Sequence, residues 1–153
     1  MRDGFIKVAA STPEIRVADV DYNKELIAQG MDQAWKDGIQ LLVYPELCLT
    51  GYTCGDLFLQ DTLLQGAEDA LRSLLEGSKE LDLLAVVGVP VRYNQKLFNC
   101  AAVFCRGALL GLVPKIHLPN YTEFYEGRWF TSGRALMGSD FCVPFAGQEN
   151  VEF

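Results

Sequence analysis

The feature that most restricts the fold is an alternation of short apolar runs with two amphipathic stretches in the first half of the chain. Residues 5–10 and 39–44 are apolar runs of strand length, and the second is continuous enough to predict burial on both faces. Residues 19–36 and 61–79 carry apolar side chains at helical spacing, with Asp19 as the N-cap of the first helix. The predicted buried stripes are Ile27, Met31, Ala34 and Trp35 in the first helix, and Leu63, Leu64, Ala67, Leu71, Leu74 and Leu75 in the second.

Three more apolar runs follow the second helix, at residues 83–89, 97–105 and 108–113. The dipeptide Arg106-Gly107 between the last two fits a two-residue hairpin, in which the glycine supplies a positive φ. The predicted order of elements is therefore β-α-β-α-β-β-β. Strand–helix crossovers followed by a meander indicate a layered α/β architecture with the helices on one face of a sheet.

Residues 114–134 show no clear periodicity. They contain two prolines, two glycines, charges of both signs and five aromatic side chains. Long irregular segments inside compact domains are more often functional than ordinary loops, so we expect this segment to contribute to a site. A further strand is predicted at residues 141–145.

Composition narrows the classes of function. The chain has 153 residues, half of them apolar, which is enough for one domain with a buried core. Its net charge is -7 and Lys and Arg are not clustered, which argues against nucleic acid as a partner. No apolar run reaches the roughly 18 residues of a membrane span. Residues 1–12 are too short and too charged to resemble a signal peptide.

The five cysteines are odd in number, irregularly spaced and free of any CxxC pair, so a zinc site or redox motif has no support. This usage predicts a reduced, cytoplasmic protein. Cys48, Cys100 and Cys105 are expected to pack in the core, whereas Cys54 lies in a predicted loop and could be exposed. His117, the one histidine, lacks a Ser or Cys partner motif and is expected to be structural.

Two charged residues stand at the ends of apolar strands. Glu46 follows the run 39–44, and Lys115 follows the run 108–113. Residues at the carboxyl ends of strands line the crevice in which open α/β sheets bind ligands. A partly buried carboxylate there suits a general base, but it could equally be held by backbone N–H groups. Lys115, considered alone, fits a surface lysine better than a catalytic one.

Two longer strings surround these charges: YPELCLTGYTCGDLF at residues 44–58 and VPKIHLPNYTEFYEGRWF at residues 113–130. Together they resemble the nitrilase, or carbon–nitrogen hydrolase, superfamily, and most closely the glutaminase domains of glutamine-dependent NAD synthetases. The resemblance implies an α-β-β-α sandwich, of which residues 1–153 would be the N-terminal portion only. The rest of that domain and an ATP-dependent synthetase domain would lie outside this chain. The family's nucleophile string, which is Glu-Ile-Cys-Glu-Asp-like, does not occur here, and the neighbours of Cys142 do not match it.

The resemblance implies roles for five residues. Glu46 would be the general base, and Lys115 would stabilise the oxyanion and help hold the thiolate. Tyr121 and Phe124 would help form a glutamine pocket, with packing of an aromatic-rich loop as the alternative. Glu123 would be the second glutamate, which orients the lysine in related amidases, or simply a solvated carboxylate.

The implied reaction is hydrolysis of the side-chain amide of L-glutamine by a Glu–Lys–Cys triad. The ammonia would then amidate nicotinic acid adenine dinucleotide in a synthetase domain that uses ATP and Mg²⁺. No cofactor is expected within residues 1–153, which lack a phosphate-loop motif, and without the nucleophile the chain alone is expected to be inactive. Because half a sandwich leaves an apolar face and sheet edges uncovered, we expect a homo-oligomer.

Two alternatives stay open from the sequence. One is a non-catalytic nitrilase-like module used for assembly or binding. The other is a nitrilase-type amidase that acts on a different small amide. The sequence beyond residue 153 would separate these interpretations: a Glu-Ile-Cys-Glu-Asp-like string there would support the enzyme, and a stop codon would support the module. The amidase would share the triad but lack a synthetase domain.

Overall fold

The computed structural model describes residues 4–136 and 142–153. This part of the chain contains two α-helices, a five-stranded sheet and a separate two-stranded hairpin. Short 3₁₀ turns lie at Gly55–Leu59, Glu126–Arg128 and Gly133–Leu136. The main elements, in chain order, are β1 (Val8–Ala10), α1 (Val20–Lys36), β2 (Leu41–Val43), α2 (Asp61–Gly77), β3 (Leu84–Tyr93), β4 (Lys96–Cys105), β5 (Ala108–Pro114), β6 (Cys142–Phe145) and β7 (Gln148–Glu152).

The strands of the large sheet lie side by side in chain order, β1-β2-β3-β4-β5. β1, β2 and β3 are parallel, whereas β3, β4 and β5 are antiparallel. A parallel pair needs a long crossover and an antiparallel pair needs only a short turn, which is the pattern the sequence indicated. The predicted order and the layered α/β class are confirmed. Of the strand predicted at 141–145, β6 forms, and residue 141 lies outside the described residues.

Both helices form for the reasons that the sequence indicates. The Asp19 carboxylate accepts a hydrogen bond from the Tyr22 N–H at 3.3 Å and caps α1. Gly38, just beyond α1, has a φ of 73°, the left-handed conformation that commonly ends helices. All six residues of the α2 stripe are buried. The prediction was wrong for Trp35, which is 44% exposed because it lies about 100° around the helix from Ala34.

Two-residue turns join the antiparallel strands. Asn94-Gln95 has φ values of 47° and 62°, and Arg106-Gly107 has φ values of 49° and 79°. Positive φ at both central residues is what a type I′ turn requires, and its twist matches that of the flanking strands. The hairpin predicted at Arg106-Gly107 is confirmed. β3 and β4 extend beyond their predicted apolar runs up to the first turn.

The sheet has one covered face and one open face. On the covered face, Leu42, Ala85 and Phe104 lie side by side in register and belong to the core that α1 and α2 complete. On the opposite face, Val43 is 39% exposed. The prediction that the run 39–44 is buried on both sides was therefore wrong, because the described residues leave Val43 uncovered on the side opposite the helices. No helix in the described ranges is long and apolar enough to cross a membrane.

The hairpin of β6 and β7 packs at the β5 edge of the sheet. Its apolar residues join the same core as the helices. The Gln148 side chain accepts a hydrogen bond from the Leu109 N–H at 3.0 Å and donates one to the Gly107 carbonyl at 2.7 Å. These bonds satisfy backbone groups at the start of an edge strand.

Gly30, inside α1, gives a test of the packing between this helix and the sheet. The Tyr44 hydroxyl donates a hydrogen bond to the Ile27 carbonyl at 2.9 Å, and a Cβ at position 30 would clash with that hydroxyl. Alanine is the better helix former. Gly30→Ala should nevertheless lower the free energy of unfolding by about 1–3 kcal/mol, as overpacked core substitutions do. Urea denaturation followed by circular dichroism measures the difference.

Two further variants separate the effect of the clash on stability from the effect of helix propensity. Gly77→Ala, at the end of α2, meets no atom within 4 Å and should stabilise the chain by about 0.5–1 kcal/mol. Tyr44→Phe removes the hydroxyl, so Gly30→Ala should cost little when both changes are combined. A Gly30→Ala chain as stabilised as Gly77→Ala would contradict the packing described.

Candidate active site

Glu46 is placed by a backbone segment that crosses the open face of the sheet. The segment lies directly on β3 at Gly88, where an added Cβ would sit 2.7 Å from the Pro45 carbonyl oxygen and 2.8 Å from the Glu46 carbonyl carbon. Leu47 turns the chain with a left-handed φ of 50° and is fully buried. Glycine at position 88 therefore allows the close approach, while the Glu46 side chain remains 41% exposed.

Lys115 directly follows β5, and its side chain reaches the carboxylate of Glu46. Its backbone N–H donates to the Asn99 carbonyl on β4 at 2.7 Å. Its Nζ donates to Oε1 of Glu46 at 2.7 Å and to Oε1 of Glu126 at 2.9 Å. The structure thus brings together the two strand-end charges that the sequence singled out. Because the lysine side chain is only 28% exposed, these interactions are screened less than they would be in water.

Glu126, and not Glu123, is the second carboxylate on Lys115. The Glu126 side chain is 3% exposed, whereas Glu123 is exposed and its pKa is lowered by hydrogen bonds from the Thr122 hydroxyl and its own backbone N–H. The second glutamate was predicted at position 123, and the structure instead places Glu126, three residues further on, against Lys115. Thr122 has a left-handed φ of 52°, and a 3₁₀ turn begins at Glu126. A loop that bends in this way does not reveal by residue spacing which carboxylate points inward.

Tyr52 completes the surroundings of Glu126. Its hydroxyl donates to Oε1 of Glu126 at 2.7 Å, the same oxygen that accepts from Lys115. Oε2 of Glu126 is buried and accepts no hydrogen bond from the described residues. Tyr52 lies six positions beyond Glu46, so this contact joins the loop after β2 to the loop after β5.

Asn99 contacts Glu46 from the sheet itself. Its side-chain amide Nδ2 donates to Oε1 of Glu46, and the residue is 4% exposed. The sequence analysis missed it, although it carried a signal: Asn99 is the one polar residue between Lys96 and Cys105 in a strand that is otherwise apolar. Glu126 and Tyr52 carried no comparable signal, because loops are rich in such residues.

The protonation of the cluster follows from these contacts. Burial lowers the pKa of Lys115, but the hydrogen bonds and charges of Glu126 and Glu46 outweigh it, so the pKa is raised overall. Lys115 is therefore an ammonium at neutral pH. Burial raises the pKa of Tyr52, and its hydrogen bond to Glu126 raises that pKa further. Tyr52 therefore stays protonated and acts as a donor.

The two aromatic residues expected at a glutamine pocket lie beside this cluster. The Tyr121 and Phe124 rings pack edge to face with centroids 5.7 Å apart, and Tyr121 is 65% exposed. Phe124 lines a cavity of about 220 Å³ together with Tyr52 and Glu126. The positions are compatible with contact to a small ligand, and substrate binding by this pair stays a prediction.

Cys48, Cys54 and His117 are not part of the cluster around Lys115. Cys48 is buried, as predicted, and burial raises its pKa to about 11. The sequence allowed Cys54 to be exposed, but the structure leaves it only 5% exposed. Its thiol points inward and lies 3.0 Å from the Thr50 carbonyl oxygen. His117 is exposed. Residues 4–136 and 142–153 contain no group of three or more His, Cys, Asp or Glu side chains placed to hold a metal ion.

A surface clamp ties the two loops of the site together. Arg128 donates from Nε and Nη2 to the two carboxylate oxygens of Asp56 at 2.8 and 2.9 Å. The Trp129 indole donates to the same carboxylate at 2.8 Å. These bonds to Arg128 and Trp129 hold the pKa of Asp56 well below its usual range. Because Asp56 follows Tyr52 closely and Arg128 follows Glu126, the clamp holds both partners of the Tyr52–Glu126 contact.

Comparison with known sequences identifies relatives that match most of this chain. The family model described as carbon-nitrogen hydrolase matches residues 7–146. The glutamine-dependent NAD(+) synthetase of Mycobacterium tuberculosis is 42% identical over 136 residues, which is 89% of this chain and 20% of that protein. The enzyme of the same name from Aquifex aeolicus is 38% identical over 117 residues, 76% of this chain and 20% of that protein. The chain thus spans about a fifth of the length of these relatives.

Solved structures show the same architecture. A glutamine-dependent NAD(+) synthetase from Cytophaga hutchinsonii superimposes with a TM-score of 0.84 at 26% identity, covering 97% of this chain and 24% of that one. An amidase from Nesterenkonia sp. superimposes with a TM-score of 0.73 at 21% identity, covering 97% and 54%. At that identity the amidase shows the fold alone. The predicted nitrilase-like α/β class is confirmed.

The Asp56 clamp gives a pH-dependent stability prediction. A carboxyl whose pKa is lowered by folding stabilises the folded chain above its unfolded pKa, near 3.8, and loses this effect as pH falls through the folded value. Asp56→Asn should therefore lower the urea midpoint at neutral pH, and the difference should shrink as the pH falls below 3.8. Asp69→Asn is the control: it removes a pair between neighbouring turns of α2, not a link between two loops, and should change the midpoint little. An Asp56→Asn deficit that persists in acid would contradict the assignment.

Proposed function

Because the chain belongs to the carbon–nitrogen hydrolase family, we propose that it supplies the general base and the cation of a glutaminase site in a glutamine-dependent NAD synthetase. One observation carries the proposal: the Lys115 ammonium lies 2.7 Å from Glu46 and 2.9 Å from Glu126. Glu46 is the more exposed of the two carboxylates and so the one available to a substrate. The synthetase relatives support L-glutamine as the substrate.

In the proposed reaction, Glu46 removes the proton of a cysteine thiol as the sulfur attacks the side-chain amide carbon of glutamine. The Lys115 ammonium stabilises the negative charge that forms on the carbonyl oxygen. The C–N bond then breaks, and the proton on Glu46 passes to the nitrogen, which leaves as ammonia. Glu46 next removes a proton from water as the water oxygen attacks the thioester carbon. The C–S bond then breaks, the proton on Glu46 passes to the sulfur, and glutamate is released while the thiol is regenerated.

The nucleophile of this proposal lies outside residues 1–153, which would form only part of the glutaminase domain. Burial raises the pKa of Cys48 to about 11 and also raises that of Cys100, so neither thiol supplies thiolate at neutral pH. Cys142 is exposed on β6, in a sequence that lacks the nucleophile string of the family. The thiol of the nucleophile would approach Glu46 from the open side of the sheet.

Glu126 acts in this proposal as a positioning residue for Lys115. It is almost fully buried and accepts a hydrogen bond from the same ammonium that donates to Glu46. Two carboxylates on one ammonium limit the conformations that the flexible lysine side chain can adopt. A fixed ammonium in a site with little water stabilises an oxyanion better than a mobile one.

The alternatives are less well supported. In a non-catalytic module, clustering three ionised side chains would cost desolvation free energy with little gain in stability. An amidase for another small amide would share the fold and the Glu46–Lys115 pair. The synthetase relatives, at higher identity over most of this chain, favour glutamine and NAD synthesis.

The proposal extends to the whole protein. Ammonia would pass to a synthetase domain that uses ATP and Mg²⁺ and that would lie outside residues 1–153. The open apolar face of the sheet supports association with further protein, either the rest of the domain or a homo-oligomer. The free cysteines support a reducing, cytoplasmic location.

Glu46→Gln in the full-length enzyme tests the proposed base. Loss of a general base should reduce glutamine-dependent NAD synthesis by about 10²–10⁴-fold. Synthesis from added ammonia should be largely unchanged, because ammonia bypasses this site. Both activities are measured as NAD formed per enzyme. A parallel fall of both would show that Glu46 is structural, and unchanged glutamine use would remove it from the reaction.

The two glutamates of the loop after Lys115 form a matched pair of variants. Glu126→Gln keeps the shape of the side chain and removes the charge that holds Lys115, so kcat with glutamine should fall by about tenfold or more. Glu123→Gln changes an exposed carboxylate and should leave kcat within about twofold. Steady-state glutaminase assays of both variants decide which glutamate positions Lys115. The reverse order of effects would restore Glu123 as the second glutamate.

A further inference from the structure

Asn99 contacts both strand-end residues of the site: the carboxylate of Glu46 and the backbone of Lys115. Its side-chain amide donates to Oε1 of Glu46, and its backbone carbonyl accepts from the Lys115 N–H at 2.7 Å. It lies on β4, in the middle of the sheet, opposite Pro90 on β3. The two charges reach the site on loops or at a strand end, whereas Asn99 belongs to the rigid part of the fold.

An asparagine is an unfavourable choice for this strand unless its amide has a purpose. Asn99 is 4% exposed, and the next residues on the same face of β4, Ala101 and Val103, are apolar. Burying an amide costs free energy unless it is hydrogen-bonded. Its partner here is a carboxylate, and hydrogen bonds to ionised groups are stronger than those between neutral groups. The amide NH₂ must face Glu46, because the amide oxygen would repel the carboxylate.

The two hydrogen bonds that Glu46 accepts have a common geometry. The donors, Asn99 Nδ2 and Lys115 Nζ, both contact Oε1. Lys115 alone cannot fix the carboxylate, because its ammonium is shared with Glu126 and sits on a flexible side chain. A second donor from the sheet prevents the carboxylate from rotating about its terminal bond. Oε2 is thereby left free of both donors.

We infer that Asn99 is the positioning residue of the general base: it holds Oε1 of Glu46 so that Oε2 is presented to the nucleophile thiol and later to water. This inference rests on the proposed function, in which Glu46 is the base. In this inference Asn99 acts on the reaction through its hydrogen bond to Glu46 and not through the substrate. Catalytic groups held from strands by buried hydrogen bonds are positioned more sharply than groups on loops alone.

The test uses the full-length enzyme with Asn99→Leu, which keeps the volume and removes the donor, and Asn99→Asp, which keeps the shape and replaces the donor with an acceptor. Glutaminase kcat should fall by about 10- to 100-fold in both, since a misplaced catalytic group costs up to about 10²-fold. The KM for glutamine should change by less than about threefold, because in this inference Asn99 positions the base and does not bind the substrate. NAD synthesis from ammonia should be unchanged.

Ser78→Ala is the matched control. Ser78 is also a fully buried polar residue, hydrogen-bonded to the Leu75 carbonyl and to the Gly107 N–H, but it lies at the end of α2, away from the site. It should keep the kcat of the unaltered enzyme.

Each outcome decides the inference. A kcat in Asn99→Asp within about twofold of the unaltered enzyme would overturn it, as would a rise in KM with kcat preserved, or an equal fall in Ser78→Ala. If Asn99→Leu fails to fold, Asn99→Asp alone decides. An unaltered enzyme without glutaminase activity would instead refute the proposed function, so the two failures are distinguishable.

Discussion

One ammonium shared by two carboxylates organises this site. Lys115 donates to Glu46 at 2.7 Å and to Glu126 at 2.9 Å, and the three side chains come from three separate parts of the chain. Partly buried ion pairs of this kind contribute little net stability, because desolvation of the charges offsets their attraction. What these ion pairs provide is a fixed arrangement of the three side chains. Removing Lys115 would leave two carboxylates without a positive charge between them, so the cluster depends above all on the lysine and on the strand that carries it.

The sheet makes the cluster possible. β2 and β5 both point their carboxyl ends toward the same edge, because each is parallel to β3. Glu46 follows one strand and Lys115 follows the other, and β3 and β4 fill the space between them. The missing side chain of Gly88 lets the segment with Glu46 lie on the sheet. The Asn99 amide donates a hydrogen bond to Glu46, and the Tyr52 hydroxyl donates one to Glu126. Each carboxylate therefore has one neutral donor in addition to the lysine.

Much of the fold was predictable from local pattern. The order of elements, the buried stripe of α2 and the hairpin at Arg106-Gly107 follow from side-chain period and turn chemistry, which are properties of neighbouring residues. The errors have one cause in common. Trp35 is half-exposed, Val43 is open on one side and Cys54 is buried, although local pattern indicated the reverse in each case. What covers a side chain depends on segments far away in the sequence, and periodicity contains no information about them.

By itself, the sequence determined which two charges stand at strand ends, and the strings around them identified the family and a Glu46–Lys115 pair. Only the tertiary structure decided which other residues join that pair. Glu126 replaces Glu123 because the loop after Lys115 bends through Thr122 and a 3₁₀ turn before it points inward. Asn99 and Tyr52 join because strand register and loop packing bring them within hydrogen-bond distance across more than fifty positions of the chain. Hydrogen bonds form between atoms close in space, and for separations of this size the folded backbone alone sets that distance.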